Sequence, residues 1–254
     1  MINRDLTQNK INILGTDFCG ASLQEAAKLV LSGGEELSGG YICFSNVHTT
    51  VMAHDSREYR DILNSSSYTF ADGAPIARLM RRMGLKDAER VAGPDFMTEV
   101  FKLCDKDPAP GSHFFYGSGE KTLSLLKKQL NEKYPHLKIA GMFSPPFRKV
   151  TPSEDAEFME MIRDSGARYI WVGLGAPKQE RWMAAHAGMF EGVMLGVGAG
   201  FDFHAGTVGR APVFMQKAGL EWLYRLFKDP KRLFKRYLVT NTKFILYTKG
   251  MRRG

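Results

Sequence analysis

The run Trp171-Val-Gly-Leu-Gly-Ala-Pro-Lys-Gln-Glu180 decides the fold. It begins at the end of an apolar, β-rich stretch, Arg168–Val172, turns through Gly173 and Gly175, and enters a helix at Pro177, whose fixed φ suits a first helical turn. A strand, a tight glycine turn and a helix in immediate succession open a βαβ unit, and the apolar run Gly192–Val197 closes it. Working outward, the same alternation recurs. Strands are expected at Lys10–Leu14, Tyr41–Ser45, Ser67–Phe70, His113–Tyr116 and Lys138–Met142. Helices are expected at Leu23–Leu31, Val47–Asn64, Ala74–Met83, Asp95–Cys104, Glu120–Tyr134, Pro152–Asp164 and Pro177–His186, with Ser22 and Ser153 as caps. Such a chain predicts an α/β fold with a mostly parallel sheet and helices on both faces, Rossmann-like in kind.

Beyond residue 207 the pattern changes. Twelve of the 35 Lys and Arg residues lie in 208–254, Lys217, Arg252 and Arg253 among them, against only Glu221 and Asp229. The first 207 residues hold 23 basic and 25 acidic groups, so the net charge of +8 belongs to the tail. Met215, Ala218, Trp222, Leu223, Leu226 and Phe227 recur at helical spacing, as do Leu233, Phe234, Tyr237 and Leu238 after Asp229-Pro230. Two basic amphipathic helices follow, either lying on an anionic membrane surface or packed on the body with solvated cations. The division expected is an α/β domain, 1–207, and an appendage, 208–254. No recognition motif accompanies the charge, so nucleic acid is not expected as a partner. Cys19, Cys43 and Cys104 are odd in number and far apart, which argues against a disulfide framework or a cysteine zinc site and favours a reducing compartment. The N-terminus is polar and carries Asp5, unlike a signal peptide, and no apolar run reaches the roughly 18 residues of a membrane span.

In parallel α/β sheets ligands bind at the carboxyl ends of strands. Four loops there carry unusual residues. Asp72-Gly73 reads either as a plain turn or as a carboxylate placed to act as a general base. Gly117 and Gly119 flank a strand-to-helix turn whose N–H groups suit a phosphate, although neither this turn nor Gly173-x-Gly175 completes a dinucleotide fingerprint. Lys178 at a helix N-terminus opposes the helix dipole and calls for an anion nearby, while the Gln179 amide, beside Glu180, suits sugar hydroxyls. Gly198 belongs to a glycine-dense run with Asp202 and His204, the latter reading equally as a buried structural histidine. The histidines are scattered, Asp105-Lys106-Asp107 precedes a proline-rich loop, and no nucleophile elbow is present. No metal site and no cofactor are expected.

Together these pieces resemble the WecG/TagA/CpsF family of bacterial glycosyltransferases, from about Ile42 to Arg236. The likeness rests on Asn46, Ala71-Asp72-Gly73, Arg90-Val-Ala-Gly93-Pro-Asp95, Val172–Glu180, Gly196-Val-Gly with Phe201-Asp-Phe203, Ala205-Gly206, Arg210-Ala-Pro212, Leu220–Arg225 and Pro230-Lys-Arg232. The resemblance implies an inverting, metal-independent transfer of a sugar, N-acetylmannosamine or a related hexose or uronic acid. The sugar passes from a UDP donor to an undecaprenyl-diphosphate-linked acceptor on the cytoplasmic face of the plasma membrane. It implies Asp72 as base, Gln179 and Asn46 on the sugars, and Arg225 and Arg232 on diphosphate, with Arg90, Asp95, Arg210, Lys235 and Arg236 as further binding candidates. Many members carry Thr two residues before the Asn; here Phe44 stands there, and Ser45 is the candidate replacement hydroxyl. Competing readings are a nucleotide-dependent oxidoreductase and a non-catalytic membrane adaptor. A monomer and a homo-oligomer are equally compatible with the sequence.

Overall fold

The structure, a computed structural model, describes residues 9–107, 111–212, 214–215 and 219–251, apart from the side chains of Arg225 and Arg232. Asp5, Lys217, Ala218, Arg252 and Arg253, named above, lie outside the described residues.

The chain runs β1 (Lys10–Ile13), β2 (Thr16–Cys19), α1 (Leu23–Ser32), β3 (Tyr41–Ser45), α2 (Val47–Asp55), α3 (Arg57–Asn64), β4 (Tyr68–Ala71), α4 (Ala74–Arg82) and α5 (Gly93–Lys106). It continues through β5 (His113–Gly117), α6 (Glu120–Lys133), β6 (Ile139–Phe143), α7 (Pro152–Asp164), β7 (Tyr169–Gly173), α8 (Lys178–Ala185), β8 (Val193–Gly196) and α9 (Gly200–Ala205). Two helices follow, α10 (Glu221–Lys228) and α11 (Pro230–Thr248). Six strands form one parallel sheet in the order β4-β3-β8-β7-β5-β6.

Both faces of this sheet are covered, which is why its strands read as continuous apolar runs rather than alternating ones. In β7 the period of two is explicit. Tyr169 and Trp171 enter the core on one face, with Phe96, Phe101 and Phe115, whereas Ile170 and Val172 enter the other, with Tyr59, Tyr116 and Met183. Trp171 is fully buried at the centre, its indole N–H donating to His113 Nδ1 at 3.0 Å.

Four expectations change. The cap of α7 is Thr151, which accepts from Glu154 N, whereas Ser153 lies inside the helix. The Lys10–Leu14 run is a strand, but it pairs antiparallel with β2 in a separate hairpin, and β2 itself carried no clear sequence signal. Val47–Asn64 is two helices, broken where Ser56 leaves helical geometry and caps α3 by accepting from Tyr59 N. The glycine-dense run after β8 is not all loop, since Gly200–Ala205 coils into α9 with Phe201 fully buried.

The tail helices break at Asp229-Pro230 as the sequence requires. On α11, Leu233, Thr240 and Phe244 are buried, and Phe244 joins the cluster formed by the hairpin, α2 and α4. Lys243 pairs with Asp55 at 2.5 Å, and Tyr247 packs its ring on His54. Phe227, Phe234, Leu238 and Ile245 are exposed, so the apolar residues of the tail divide between two faces.

Candidate active site

A cleft of about 1350 Å³ opens over the carboxyl ends of β3, β4 and β8 and is roofed by α10 and α11. Its floor holds Asn46 and Asp72, which end adjacent parallel strands. Asn46 caps α2, its Oδ1 accepting from His48 N and Thr49 N at 3.0 and 3.3 Å. That bond fixes the amide, so Nδ2 points at Asp72 Oδ2, 3.4 Å away. One side chain thus starts a helix and orients the candidate base. Gly73, the N-cap of α4, completes this corner.

Gln179 lines the same cleft but is almost wholly buried. Its Oε1 accepts from Gly175 N and Gly198 N at 3.2 and 2.9 Å, and its Nε2 donates to Gly196 O and Glu180 Oε1 at 2.9 and 2.8 Å. Two acceptances and two donations are all that a primary amide makes. The sequence assigned this amide to sugar hydroxyls; in the structure it stitches the loop after β7 to the loop after β8. Glu180 is buried beneath it with Tyr59, and burial raises its carboxyl above the ordinary range.

Ser45 corrects another expectation. It lies under the floor, its hydroxyl bonded to those of Thr49 and Thr50 at 2.9 and 3.2 Å, so it presents none to the cleft. Phe44 lines the cleft instead.

The loop after β7 separates two spaces. Ala176 and Gln179 face the large cleft, while Gly173, Leu174 and Lys178 line a second hollow of about 490 Å³ with Ser118, Arg148, Lys149 and Trp182. Gly117 is explained by packing: with φ +126°, a Cβ there would stand 2.6 Å from the Gly173 carbonyl carbon. Gly119 is the open N-cap of α6, with no side-chain cap.

Arg90 reaches the cleft while binding Asp95 Oδ2 at 3.1 Å and Glu221 Oε2 at 2.7 Å, and Arg210 binds Asp95 Oδ1 at 2.7 Å. This chain of charges ties the N-terminus of α5 to α10. Asp202 accepts from Thr122 and Thr207, joining α9 to α6, outside the cleft. His204 is structural, its Nε2 on Pro94 O at 3.1 Å and its pKa lowered by burial. Arg236 lines the cleft; Lys235 is exposed on α11. Arg225 and Arg232 lie on α10 and α11, their side chains outside the described residues.

Among the lining residues that sequence reasoning missed are Arg78 and Arg82 of α4 and His48 of α2. Burial and the Arg236 charge hold the His48 imidazole below its ordinary pKa, and both residues line the cleft. Among the described residues no helix is long and apolar enough to cross a membrane.

A family model described as the glycosyl transferase WecG/TagA/CpsF family matches residues 11–253. The chain belongs to this family of glycosyltransferases. It is also 28% identical, over 227 residues, to proteins of Staphylococcus aureus strains MW2, NCTC 8325 and COL. Each is named N-acetylglucosaminyldiphosphoundecaprenol N-acetyl-beta-D-mannosaminyltransferase, and the match covers 88% of this chain and 87% of each relative. As a member of the WecG/TagA/CpsF family the chain is a glycosyltransferase, and the oxidoreductase reading is set aside.

Proposed function

We propose that this glycosyltransferase inverts at the anomeric carbon, moving N-acetylmannosamine or a related hexose or uronic acid from a UDP donor. The acceptor is a sugar linked through diphosphate to a polyprenyl chain, and the product feeds a cell-surface polymer. The observation that carries this reading is the Asp72 carboxylate on the cleft floor, oriented by Asn46 and faced by cations from α4 and α11. The printed activity of the Staphylococcus aureus relatives supports the substrate class.

In the proposed reaction the acceptor hydroxyl attacks the anomeric carbon, Asp72 takes its proton, and the bond to UDP breaks with its electrons on the diphosphate. Lys178 and Lys149 at the second hollow, together with the glycine turns of β5 and β7, suit that departing diphosphate. Gln179 and Glu180 hold the two loops in register, and Arg225 and Arg232 serve from the roof. Guanidinium groups stabilise the growing charge, so no metal ion is required in this scheme.

The chain works in two parts on this account. Residues 1–207 carry the base and the glycine turns, and residues 208–254 supply the roof arginines and lie on the inner face of the plasma membrane, with exposed Phe234 and Leu238 among Lys231 and Lys235. Apolar anchors interleaved with lysines suit an anionic lipid surface.

The test is a panel of UDP-sugars with a short polyprenyl-diphosphate-GlcNAc acceptor and EDTA on anionic vesicles. The expected result is one donor consumed and a product whose anomeric configuration, read by NMR, is opposite to the donor's. Retained configuration, or activity abolished by EDTA and restored by Mg²⁺, contradicts the scheme.

A further inference from the structure

Arg78 and Arg82 stand one turn apart on α4, and both line the cleft that holds Asp72. Arg236 and Lys249, from α11 and just after it, line the same cleft. Among the described residues, none of these four pairs with a carboxylate; the ion pairs nearby are Arg90 with Asp95 and Glu221, and Lys243 with Asp55. Like charges one turn apart on a helix repel, and cations facing one another across a cleft repel further. Against the carboxylates of Asp72 and Glu221 in the same lining, the cations leave an excess of positive charge that suits a polyvalent anion.

Beside the cations these two helices add Ala74, Pro75 and Leu79 of α4 and Tyr237, Phe244 and Ile245 of α11, with Thr240, Asn241 and Thr248 interspersed, and Ile245 opens onto solvent. Gly219, two residues before α10, packs against the start of α4. A Cβ on Gly219 (φ +74°) would stand 2.9 Å from Ala74 Cβ and 3.7 Å from the Arg78 guanidinium. The roof thus meets α4 beside these cations, which keep solvent access.

We propose that Arg78 and Arg82, with Arg236 opposite, form a diphosphate-binding collar, and that an isoprenoid chain leaves the cleft between α4 and α11. The assignment of this collar to the acceptor rests on the function proposed above. A diphosphate is common to a sugar nucleotide and a polyprenyl-linked sugar; the apolar flank assigns this one to the lipid. The collar brings the acceptor headgroup to Asp72 and leaves the second hollow to the nucleotide.

The test compares wild type with the Arg78→Gln/Arg82→Gln variant by calorimetric titration of farnesyl diphosphate and, separately, UDP. Both side chains are exposed, and a circular dichroism spectrum checks that the fold is kept. The expected result is at least a tenfold loss of farnesyl diphosphate affinity, unchanged UDP affinity, and a matching rise in acceptor KM with kcat within about threefold. Equal farnesyl diphosphate binding by both proteins overturns the collar. A loss of UDP affinity instead overturns its assignment to the acceptor. Arginine-dependent farnesyl diphosphate binding by a wild type that transfers no sugar upholds the collar and removes the proposed function.

Discussion

At the floor of the cleft, the side chains of Asn46 and Gln179 make seven hydrogen bonds between them, all within the protein. The roof is held differently. Glu221 reaches Arg90, Lys243 reaches Asp55, and on α11 Leu233, Thr240 and Phe244 are buried. The floor is thus set before substrate arrives, as a site that must stabilise developing charge requires. The roof rests on few buried groups and on pairs partly open to water, so it re-seats at small cost. The contrast assigns chemistry to the floor and capture of substrate to the roof.

Gln179→Ala gives the largest break. It leaves two backbone N–H groups and one carbonyl without their partner, which costs about 2–4 kcal/mol and loosens both glycine loops. The expected result is a fall in kcat of roughly a hundredfold with a lower Tm. An unchanged kcat would show that this amide does not set the floor.

Glu221→Gln tests the roof. Arg90 keeps Asp95, so the body retains its pair while α10 loses its charged contact with Arg90. Acceptor KM is expected to rise several-fold with Tm almost unmoved, because a partly exposed pair contributes about 1 kcal/mol. A drop in Tm as large as that of Gln179→Ala would mean that roof and floor unfold as one unit.

Much of this division was readable from residues 171–180 and their neighbours, because periodicity, glycine turns and caps are local. Partners across space were not. Lys10–Ile13 is apolar enough to be a strand, yet nothing in it says that it joins a hairpin instead of the sheet. Gly200 and its neighbours read as loop because helix propensity is weak there, and burial of Phe201 overrides it. Arg78 and Arg82 read as an ordinary solvated helix face; only the roof meeting α4 beside them makes them part of a site. Asp72 stood out from an ordinary Asp-Gly turn only in company with the other motifs, and Gln179, read as a ligand for sugar hydroxyls, turns its hydrogen bonds inward.

An effect confined to the body, and absent at neutral pH, comes from His113, because residues 208–254 contain no histidine. Burial pushes its imidazole from 6.5 down to about 3. The unfolded chain takes up that proton below pH 6.5 while the fold does not. Its contribution is full above pH 6.5 and lost as the pH falls toward 3, at about 1.4 kcal/mol per pH unit. His113→Gln keeps an acceptor for Trp171 and is expected to flatten the decline of the denaturation midpoint over that window. An unaltered slope would assign acid sensitivity to other groups.

The most direct measurement is acceptor-dependent UDP release by wild type and Asp72→Asn, side by side at saturating donor and acceptor. Asn keeps the size and the contact with Asn46 but takes no proton, so kcat is predicted to fall about a thousandfold with donor binding and Tm retained. Release within threefold of wild type would contradict Asp72 as the base and move the chemistry away from this floor.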